Sequence, residues 1–316
     1  MTKNNLPLVS IAIITYNQVD FLEALLNSIL SQITEFKYEI LICDDASSDG
    51  TEILSLKYQA KFKSIIKYLR HKKNLGITAN SNQGVRHAKG KYFCLVGGDD
   101  LFLPNKIQIQ TKFMEGNPNI SLSYHPVDMF DSITNKTIFL TNQTATDTPK
   151  DLLSLIKSPI PGSSSVMVRR SCIPKEGFNK KFPTQSEWLF FIQIVANGDI
   201  GFINKTLLKY RKHGNQESNR PEMLINETLL SLDMAASKLK YIPNIHKTVN
   251  IGKARYIAGE AYRQLVKGNC FLTRKLLKQA FKNDRRMIYL FGIFVSFIPL
   301  PNNFYSRLRF FFKKIY

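Results

Sequence analysis

Apolar residues follow two spacings along the first hundred positions of the chain. Residues 8–15 form a nearly continuous apolar run, which is typical of a parallel strand covered on both faces, and residues 38–43 and 91–96 are predicted as further strands. Residues 21–30 instead repeat their apolar positions at helical spacing, and residues 77–88 are also predicted to be helical. Strands that alternate with helices predict an α/β fold with an open, doubly wound sheet. The remaining predictions here are a helix at about 51–62 and a strand at 64–68.

The alternation becomes less regular after residue 100. Residues 131–150 are rich in Thr and Asn and predict a polar loop region. The other predictions in this stretch are helices at 106–115 and 185–196 and strands at 120–124, 163–169 and 201–210.

The last third of the chain has a different pattern and a different charge. From residue 223 the spacing is helical almost throughout, which predicts a domain of residues 1–220 and a separate helical region of residues 221–316. The chain has a net charge of +20, and residues 221–316 carry +12 of it. That excess favours an anionic partner such as a membrane surface, nucleic acid or acidic substrate; the alternative is a solvated basic face.

The C-terminal segment favours the membrane among these partners. Residues 287–301 carry no charge but are too few to span a bilayer, whereas residues 304–316 interleave aromatic and cationic side chains. We predict peripheral binding to an anionic membrane; for residues 287–301, a helix packed on the fold is an equal alternative. A polar N-terminus without a signal pattern predicts a cytoplasmic location at the inner face of the cell membrane. No nucleic-acid-binding module is recognised, so no nucleic acid is expected.

Two of the predicted strands end in adjacent carboxylates. Asp44 and Asp45 follow one strand, and Asp99 and Asp100 follow another. Ligands of open α/β sheets bind at the carboxyl ends of the strands, where carboxylates suit a divalent cation that contacts phosphate oxygens. The four cysteines include no Cys-x-x-Cys pair, which argues against a zinc site. The pattern therefore predicts an enzyme that handles nucleotides.

Seven short segments, taken in order, resemble the family 2 glycosyltransferases, which are inverting enzymes with the GT-A fold. The resemblance runs over residues 8–215 and implies a Rossmann-like open sheet with flanking helices. It also implies a nucleotide-diphosphate sugar as donor, with a UDP-sugar favoured, a glycan or lipid-linked acceptor for a surface polysaccharide, and Mg²⁺ or Mn²⁺ as cofactor. The matching segments are residues 10–17, 44–51, 74–80, 88–92, 98–100, 186–188 and 210–213.

The resemblance implies a set of residues that bind the nucleotide sugar. Asp45 matches the acidic residue that accepts a hydrogen bond from the nucleobase, and Arg211 matches a cation beside the diphosphate. The full set is Thr15, Tyr16, Asn17, Asp44, Asp45, Asn74, Gly76, Asn80, Gly98, Asp100 and Arg211.

The expected metal ligands are Asp99 and His213. Asp99 matches the last carboxylate of the family's Asp-x-Asp motif, and His213 ends a late Tyr-Arg-x-His segment. Gly97 stands where the first carboxylate of that motif usually lies. Mg²⁺ is commonly held by one or two carboxylates, with water and phosphate completing its shell. The resemblance therefore still implies metal binding at this position.

Glu187 matches the position of the family's catalytic base, which takes a proton from the acceptor hydroxyl. The alternative is an acidic residue that stabilises the first turn of a helix. Trp188 is expected on the acceptor side, where it stacks on a sugar, although a core position is equally compatible with the pattern. Ser163 and Ser164 are expected on the same side.

Two other functions remain alternatives at this point. A nucleotidyltransferase also uses a Rossmann-like sheet with an acidic metal site, but the glycine-rich phosphate loop typical of such enzymes is absent after the first predicted strand. A non-catalytic, transferase-like binding module is the second alternative, and Gly97 is the residue that favours it.

Overall fold

A computed structural model describes residues 6–141, 148–183, 187–213 and 221–298, without the side chains of residues 221–223. The chain divides into two compact units, described separately below. The first unit comprises residues 1–152 and 160–219, and the second comprises residues 153–159 and 220–316. The predicted aromatic and cationic segment of residues 304–316 lies outside the described residues.

A seven-stranded sheet forms the core of the first unit. Strand β1 (Val9–Thr15) runs parallel to β2 (Tyr38–Asp44) on one side and to β4 (Tyr92–Gly97) on the other. Every residue of β1 except Ile14 is buried, as the nearly continuous apolar run predicts. The outer strands are β3 (Ile66–Arg70), β6 (Ile120–Tyr124), β9 (Met167–Arg169) and β10 (Asp199–Phe202). Their order, β10–β6–β9–β4–β1–β2–β3, confirms the predicted open α/β sheet.

Helices pack against this sheet through apolar side chains at helical spacing. Helix α1 (Val19–Leu30) buries Leu22, Leu25, Leu26 and Ile29, which join β1 and β2 in one apolar cluster. The other helices of the unit are α2 (Thr51–Lys61), α3 (Ile77–His87), α4 (Lys106–Gly116) and α6 (Glu187–Val195).

A second, four-stranded sheet corrects part of the sequence prediction. Residues 131–150 were expected to form a loop region, but they contain strand β8 (Thr137–Leu140), which pairs with β7 (Val127–Asp131). All residues of β8 are exposed, so the strand lacks the apolar alternation that would have predicted it. The sheet has the order β5–β11–β7–β8, with β5 at Leu101–Phe102 and β11 at Leu208–Lys212.

Two further strand predictions were wrong in their extent. The strand expected at 201–210 is two strands, because a turn near Lys205 separates β10 in the large sheet from β11 in the small one. The strand expected at 163–169 begins as a 3₁₀ turn over Ser163–Ser165 and becomes β9 only at Met167. Both corrections matter for the site, because β11 and the 3₁₀ turn lie beside it.

The second unit is helical. Its core is formed mainly by Ala, Leu and Ile side chains of α8 and α9, joined by Tyr289 from the last helix. Among the described residues, no helix is long and apolar enough to cross a membrane. Helix α5 contributes all of its residues except the first to this unit. The helices are α5 (Leu152–Lys157), α7 (Pro221–Lys238), α8 (Ile245–Val266), α9 (Cys270–Asn283) and α10 (Met287–Val295).

Candidate functional site

The carboxyl ends of the three central strands meet at one edge of the large sheet. Thr15, the last residue of β1, lies opposite Asp44, the last residue of β2. On the other side of β1, Ile14 lies opposite Gly97, the last residue of β4. The candidate residues that follow these strands are therefore brought together by the parallel register, as expected for an α/β sheet.

Asp45 connects the end of β2 with the loop that precedes α3. One carboxylate oxygen accepts a hydrogen bond of 2.8 Å from the Leu75 amide, and the other accepts one of 2.7 Å from the Gly76 amide. Gly76 adopts a φ of +86°, a left-handed conformation that favours glycine. The Asn74 side chain also accepts from the Gly76 amide, at 3.1 Å. Asp45, Asn74 and Gly76 thus form one connected group.

Asp44 is fully buried and organises the loop behind Asp45. Its carboxylate accepts hydrogen bonds from the Ser47 amide at 2.9 Å and from the Tyr68 hydroxyl at 2.6 Å. It also lies 3.6 Å from Nε of Arg70. Burial, together with the Asp44 carboxylate, raises the pKa of the Tyr68 phenol. Hydrogen bonds from Ser47 and Tyr68 therefore hold the Asp44 carboxylate within the protein.

Tyr16 and Asn17 occupy the turn between β1 and α1. Asn17 has a positive φ of 51°, and its side-chain oxygen accepts a hydrogen bond of 2.8 Å from the Ser48 amide. The Tyr16 side chain is about half exposed at the open end of the sheet. Deeper in the site, the buried Asn80 amide group donates to the Cys43 carbonyl at 2.7 Å.

Gly98 lies in a narrow space lined by polar atoms. A Cβ atom at this position would lie 2.6 Å from Oε1 of Gln18 and 2.9 Å from Oγ1 of Thr15. Both oxygen atoms are buried and have no hydrogen-bond partner within the described part of the chain. Buried acceptors without partners are uncommon in native proteins and are frequently satisfied by a ligand or water. Glycine is required here by this close approach.

Asp99 and His213 form a contact at the same edge. Their Oδ2 and Nε2 atoms lie 2.9 Å apart, and each side chain remains 13% exposed. The Phe21 ring packs 5.0 Å from the imidazole ring of His213 and 4.8 Å from the guanidinium of Arg211. Arg211 in turn donates from Nε to the Asp99 carbonyl at 2.8 Å. Phe21 therefore packs against both His213 and Arg211.

Asp100 points into the protein instead of towards solvent. The side chain is almost completely buried, and one carboxylate oxygen accepts from the Arg211 amide at 3.2 Å. Its other oxygen has no hydrogen-bond partner among the described residues. Burial and the neighbouring Asp99 carboxylate raise the pKa of Asp100 well above its ordinary value. Asp99, not Asp100, is thus the carboxylate that faces the open side.

The Asp99–His213 pair fits the donor set of a divalent cation. Adjacent ligands of an octahedral ion with bonds of about 2.1 Å are separated by about 3 Å, close to the spacing of this oxygen and nitrogen. Within the described ranges, no cluster of three or more His, Cys, Asp or Glu side chains is arranged to hold a metal. A metal bound here would therefore need further ligands from water or substrate, as Mg²⁺ commonly does.

Glu187 begins α6 and lies within electrostatic reach of Tyr210. Burial raises the pKa of the Tyr210 phenol, and the negative charges of Asp100, Asp99 and Glu187 raise it further. Glu187 therefore acts on the same phenol of β11 as the two aspartates do. Trp188, the next residue, is buried, which favours the core position over stacking on a sugar.

A buried polar cluster supports the 3₁₀ turn of Ser163–Ser165. The ammonium of Lys106, only 1% exposed, donates to Gln110 at 2.7 Å and to Nε2 of His125 at 3.0 Å. Gln110 in turn donates to the Ser165 carbonyl at 2.8 Å. On the outer side of the turn, the Gly97 amide donates to the Ser164 hydroxyl at 3.4 Å. Ser164 is buried and Ser163 half-buried, so Ser163 is the more accessible of the two expected acceptor-side serines.

Burial changes the protonation of this cluster. It lowers the pKa of Lys106 to about 8. Burial and the nearby Lys106 charge lower the pKa of His125 well below its ordinary value. A neutral His125 that donates from Nδ1 to the Pro126 carbonyl, 2.8 Å away, leaves Nε2 to accept from Lys106.

Sequence reasoning missed several residues that shape the site. Phe21 and Lys106 each belong to a predicted helix, and nothing in helical spacing distinguishes a side chain that packs on the site from one that faces the core or solvent. Gln18 directly follows the Tyr16–Asn17 turn, and that proximity was the only available signal. His125 follows the predicted strand at 120–124, but its partnership with Lys106 required the structure.

Comparison with known proteins gives a family match for more than half of the chain. The model of the family described as "Glycosyl transferase family 2" matches residues 10–175. An uncharacterized glycosyltransferase of Methanocaldococcus jannaschii is 30% identical over 208 residues, which cover 65% of this chain and 71% of that protein. An uncharacterized protein of Mycobacterium bovis is 27% identical over 206 residues, which cover 65% of this chain and 58% of that relative. The match thus spans less than two thirds of the mycobacterial relative's length.

Solved structures with a similar fold include proteins captured with nucleotides. S. aureus TarS in complex with UDP-GlcNAc has a TM-score of 0.62 at 15% identity, over 86% of this chain and 81% of the other. GalNAc-T7 with UDP, GalNAc and Mn²⁺ has a TM-score of 0.57 at 13% identity, over 73% of this chain and 48% of the other. At these identities the likeness shows the fold alone.

Proposed function

The chain belongs to glycosyltransferase family 2, and on that premise we propose that its domain of residues 1–220 moves a sugar from a nucleotide-diphosphate donor to a hydroxyl group, with inversion at the anomeric carbon. The observation that carries the proposal is the Asp99–His213 pair at the ends of the central strands, with Arg211 beside it. Glu187 lies close enough to influence the same phenol as Asp99. A metal-binding carboxylate, a cation and a second carboxylate are the groups that such a transfer requires.

We propose a UDP-sugar as the donor. Support comes from the complexes with UDP-GlcNAc and with UDP among proteins of similar fold. Asp45 is the proposed acceptor of a hydrogen bond from the nucleobase, because each of its two oxygens retains a lone pair beyond its bond to a backbone amide. Tyr16 and Asn17 would contact the nucleoside, and Arg211 the diphosphate. The unpartnered oxygens near Gly98 offer acceptors for donor hydroxyl groups.

Asp99 and His213 are the proposed ligands of Mg²⁺ or Mn²⁺. The ion, when bound, would neutralise charge that develops on the diphosphate leaving group. His213 must be neutral at Nε2 to serve as a ligand. Asp100 is too buried to reach an ion at the open side, so it would act by holding the Arg211 backbone.

Glu187 is the proposed general base. Its carboxylate accepts the proton of the acceptor hydroxyl while the hydroxyl oxygen forms a bond to the anomeric carbon. The bond between that carbon and the diphosphate oxygen breaks, and its electron pair leaves with the nucleoside diphosphate. Attack from the face opposite the leaving group inverts the configuration. Ser163 is the proposed polar contact on the acceptor side, whereas Trp188 would support α6 from its buried position.

The proposed acceptor is a glycan or a lipid-linked glycan used in surface polysaccharide synthesis. The basic charge of residues 221–316 supports work at the cytoplasmic face of an anionic membrane, where such lipids are accessible. In this proposal the enzyme binds the membrane peripherally.

Thermal unfolding with a panel of nucleotide sugars tests the donor and the metal together. A bound donor stabilises the folded state by mass action, so a UDP-sugar with Mn²⁺ should raise the melting temperature more than either component alone. Asp99→Ala should remove the Mn²⁺-dependent part of that increase. Asp233→Ala, at an exposed position in the second unit, is the matched control and should retain it.

The proposal for the metal is wrong if Asp99→Ala binds the donor with unchanged affinity and unchanged dependence on Mn²⁺. The proposal for the donor is wrong if no UDP-sugar stabilises the wild-type protein while another class of nucleotide does. Product analysis by nuclear magnetic resonance of the anomeric proton then establishes whether transfer inverts the configuration.

A further inference from the structure

Helix α10 is apolar on both sides, but only one side is packed. Tyr289, Gly292 and Val295 are buried against the second unit. The opposite side presents a row of large apolar residues with exposed side-chain fractions between 36% and 71%. This row, here termed the α10 apolar face, consists of Met287, Leu290, Phe291 and Phe294 of the helix and of Phe297, which lies just beyond its end.

The spacing of these residues shows that they form one continuous surface. Positions 287, 290, 291, 294 and 297 follow the three- and four-residue intervals that align side chains along a single helix face. Soluble proteins seldom leave a contiguous apolar surface of this kind in water, and larger examples usually mark contact sites for a protein or a membrane. Packing within the second unit therefore does not account for the apolar residues on the exposed side of α10.

Arg274 borders the α10 apolar face, and further cations lie on α9 and on the segment that joins α9 to α10. Residues 270–298 contain six Lys and Arg residues but one acid, Asp284, which pairs with Arg286. The Arg274 guanidinium lies 4.3 Å from the centre of the Phe297 ring, at the edge of the apolar face. Exposed lysines continue along α9 at positions 275, 278 and 282, on the stripe that begins with exposed Phe271.

This combination distinguishes a lipid surface from a protein partner. A protein interface is depleted in lysine, whereas an interfacial helix combines apolar residues with lysine and arginine at the headgroup level. Helix α10 has nine residues and so a length of about 14 Å, less than half of a hydrocarbon core of about 30 Å. It is therefore suited to lie along a membrane and not to cross it.

We propose that α9 and α10 dock the protein on an anionic phospholipid bilayer. The α10 apolar face enters the boundary between headgroups and acyl chains, and the lysines of α9 contact lipid phosphates. The sequence continues in the same manner, with four cations and six aromatic residues at positions 304–316. This docking does not depend on sugar transfer, so it is tested without donor, acceptor or turnover.

Flotation of the full chain with liposomes tests the apolar part. We expect binding to vesicles that contain phosphatidylglycerol, little binding to pure phosphatidylcholine, and release at high salt. The variant Phe291→Ser/Phe294→Ser should lose at least tenfold in partitioning, because two large apolar side chains no longer enter the lipid. The control Ile53→Ser/Ile133→Ser, which changes two exposed apolar residues of the first unit, should bind as the wild type does.

Charge substitutions test the electrostatic part. Lys275→Gln/Lys278→Gln/Lys282→Gln should weaken partitioning on the order of 100-fold, because each cation near an anionic surface contributes about 1 kcal/mol and 1.4 kcal/mol is a factor of ten. Lys57→Gln/Lys63→Gln/Lys67→Gln makes the same change of net charge on the first unit and should have a smaller effect. Circular dichroism confirms that each variant is folded.

Three results would each overturn the proposal. The first is that the wild-type chain does not float with anionic vesicles, and the second is that it floats equally well with neutral ones. The third is that the α9 and α10 variants bind liposomes as tightly as their control variants do. A concentration-dependent dimer in light scattering that Phe291→Ser/Phe294→Ser abolishes, without any liposome binding by the wild type, would assign the α10 apolar face to a second copy of the chain.

Discussion

Strand β1 and helix α10 are both uncharged apolar segments, yet they occupy opposite environments. Six of the seven residues of β1 are buried. Helix α10 buries three of its nine residues and leaves four of the others largely exposed. Helix α10 has no fewer apolar residues in proportion than β1, so its exposure does not arise from a more polar composition.

The number of neighbours explains the difference. Strand β1 has hydrogen-bonded strands on both edges, lies against α3 and shares an apolar cluster with α1. Helix α10 packs against α9 and, through Val295, against Leu265 of α8, and its other side is exposed. An apolar run therefore predicts that a surface will be covered, but not whether the same chain covers it. In the first unit the protein completes its own core, and in the second we infer that lipid completes it.

The largest expected effect is a loss of sugar transfer in the first unit that leaves membrane binding by the second unit unchanged. Glu187→Gln should lower sugar transfer by about 10²–10⁴-fold, the usual contribution of a positioned general base. Binding of anionic liposomes should stay unchanged, because the substitution lies outside the second unit. Initial rates with a saturating donor and a flotation assay measure the two properties.

Glu35→Gln is the matched control for this variant, since Glu35 is exposed and lies on the loop that follows α1. It should retain wild-type transfer. Full transfer activity in Glu187→Gln would show that another group accepts the proton.

A core truncation in β1 should reduce stability by about 2–5 kcal/mol. Ile13→Ala removes a fully buried side chain from the middle of the sheet and leaves a cavity that the neighbouring strands cannot fill. Trp188 is the single tryptophan and lies in the first unit, so its fluorescence during urea unfolding reports on this unit. A loss below 1 kcal/mol would mean that β1 is less tightly packed than its burial indicates.

Substitution of the buried Lys106 and substitution of an exposed lysine in α9 should differ in how their effect on the free energy of unfolding depends on pH. Burial lowers the pKa of Lys106 to about 8 in the folded state, against about 10.4 in an unfolded chain. The penalty for burying the charge is complete below pH 8 and is lost as the pH rises towards 10.4. The stability of Lys106→Met relative to the wild type should therefore fall by about 2–3 kcal/mol between pH 7 and pH 10.

Urea unfolding at the two pH values measures this change. Lys275→Met, at an exposed position in α9, should show no comparable dependence. An equal dependence in both variants would indicate that Lys106 is not the titrating group.

The smallest expected effect is that of truncating a side chain on the α10 apolar face, for comparison with the truncation in β1. Phe294→Ala should change the free energy of unfolding by no more than about 0.5 kcal/mol, because substitutions of exposed side chains outside special contacts rarely exceed this value. Circular dichroism during urea unfolding measures this change, because it reports on the helices of both units and so includes α7–α10. A destabilisation of 2 kcal/mol or more would show that Phe294 packs within the protein, which would contradict docking through this face.

The elements that form the site were predictable where local pattern and parallel topology agree. Asp44, Asp45 and Asp99 were expected to lie together because each follows an apolar run, and the register of β1 with β2 and β4 brings those ends to one edge. That geometry follows from any parallel sheet and required no knowledge of side-chain contacts.

The remainder depended on contacts between residues that are distant in sequence. His213 meets Asp99 across 114 positions, and no periodicity encodes that meeting; only the family resemblance suggested it. Lys106 has the composition of a surface residue, yet His125 and Gln110 allow it to be buried. Strand β8 is exposed and is recognised only through its pairing with β7. In each of these three cases, a residue or strand that is distant in sequence determines where the side chain or strand lies.

Gly97 has a consequence for how this chain can change by mutation. A Cβ atom there would lie 2.7 Å from Oδ1 of Asp99, so any larger residue must displace that carboxylate. Movement of this carboxylate would disturb its contact with His213, which is made through Oδ2. A single Gly97→Asp change would therefore add the first carboxylate of the common Asp-x-Asp motif only by moving the second. Substitutions at positions 97, 99 and 213 are thus expected to have non-additive effects.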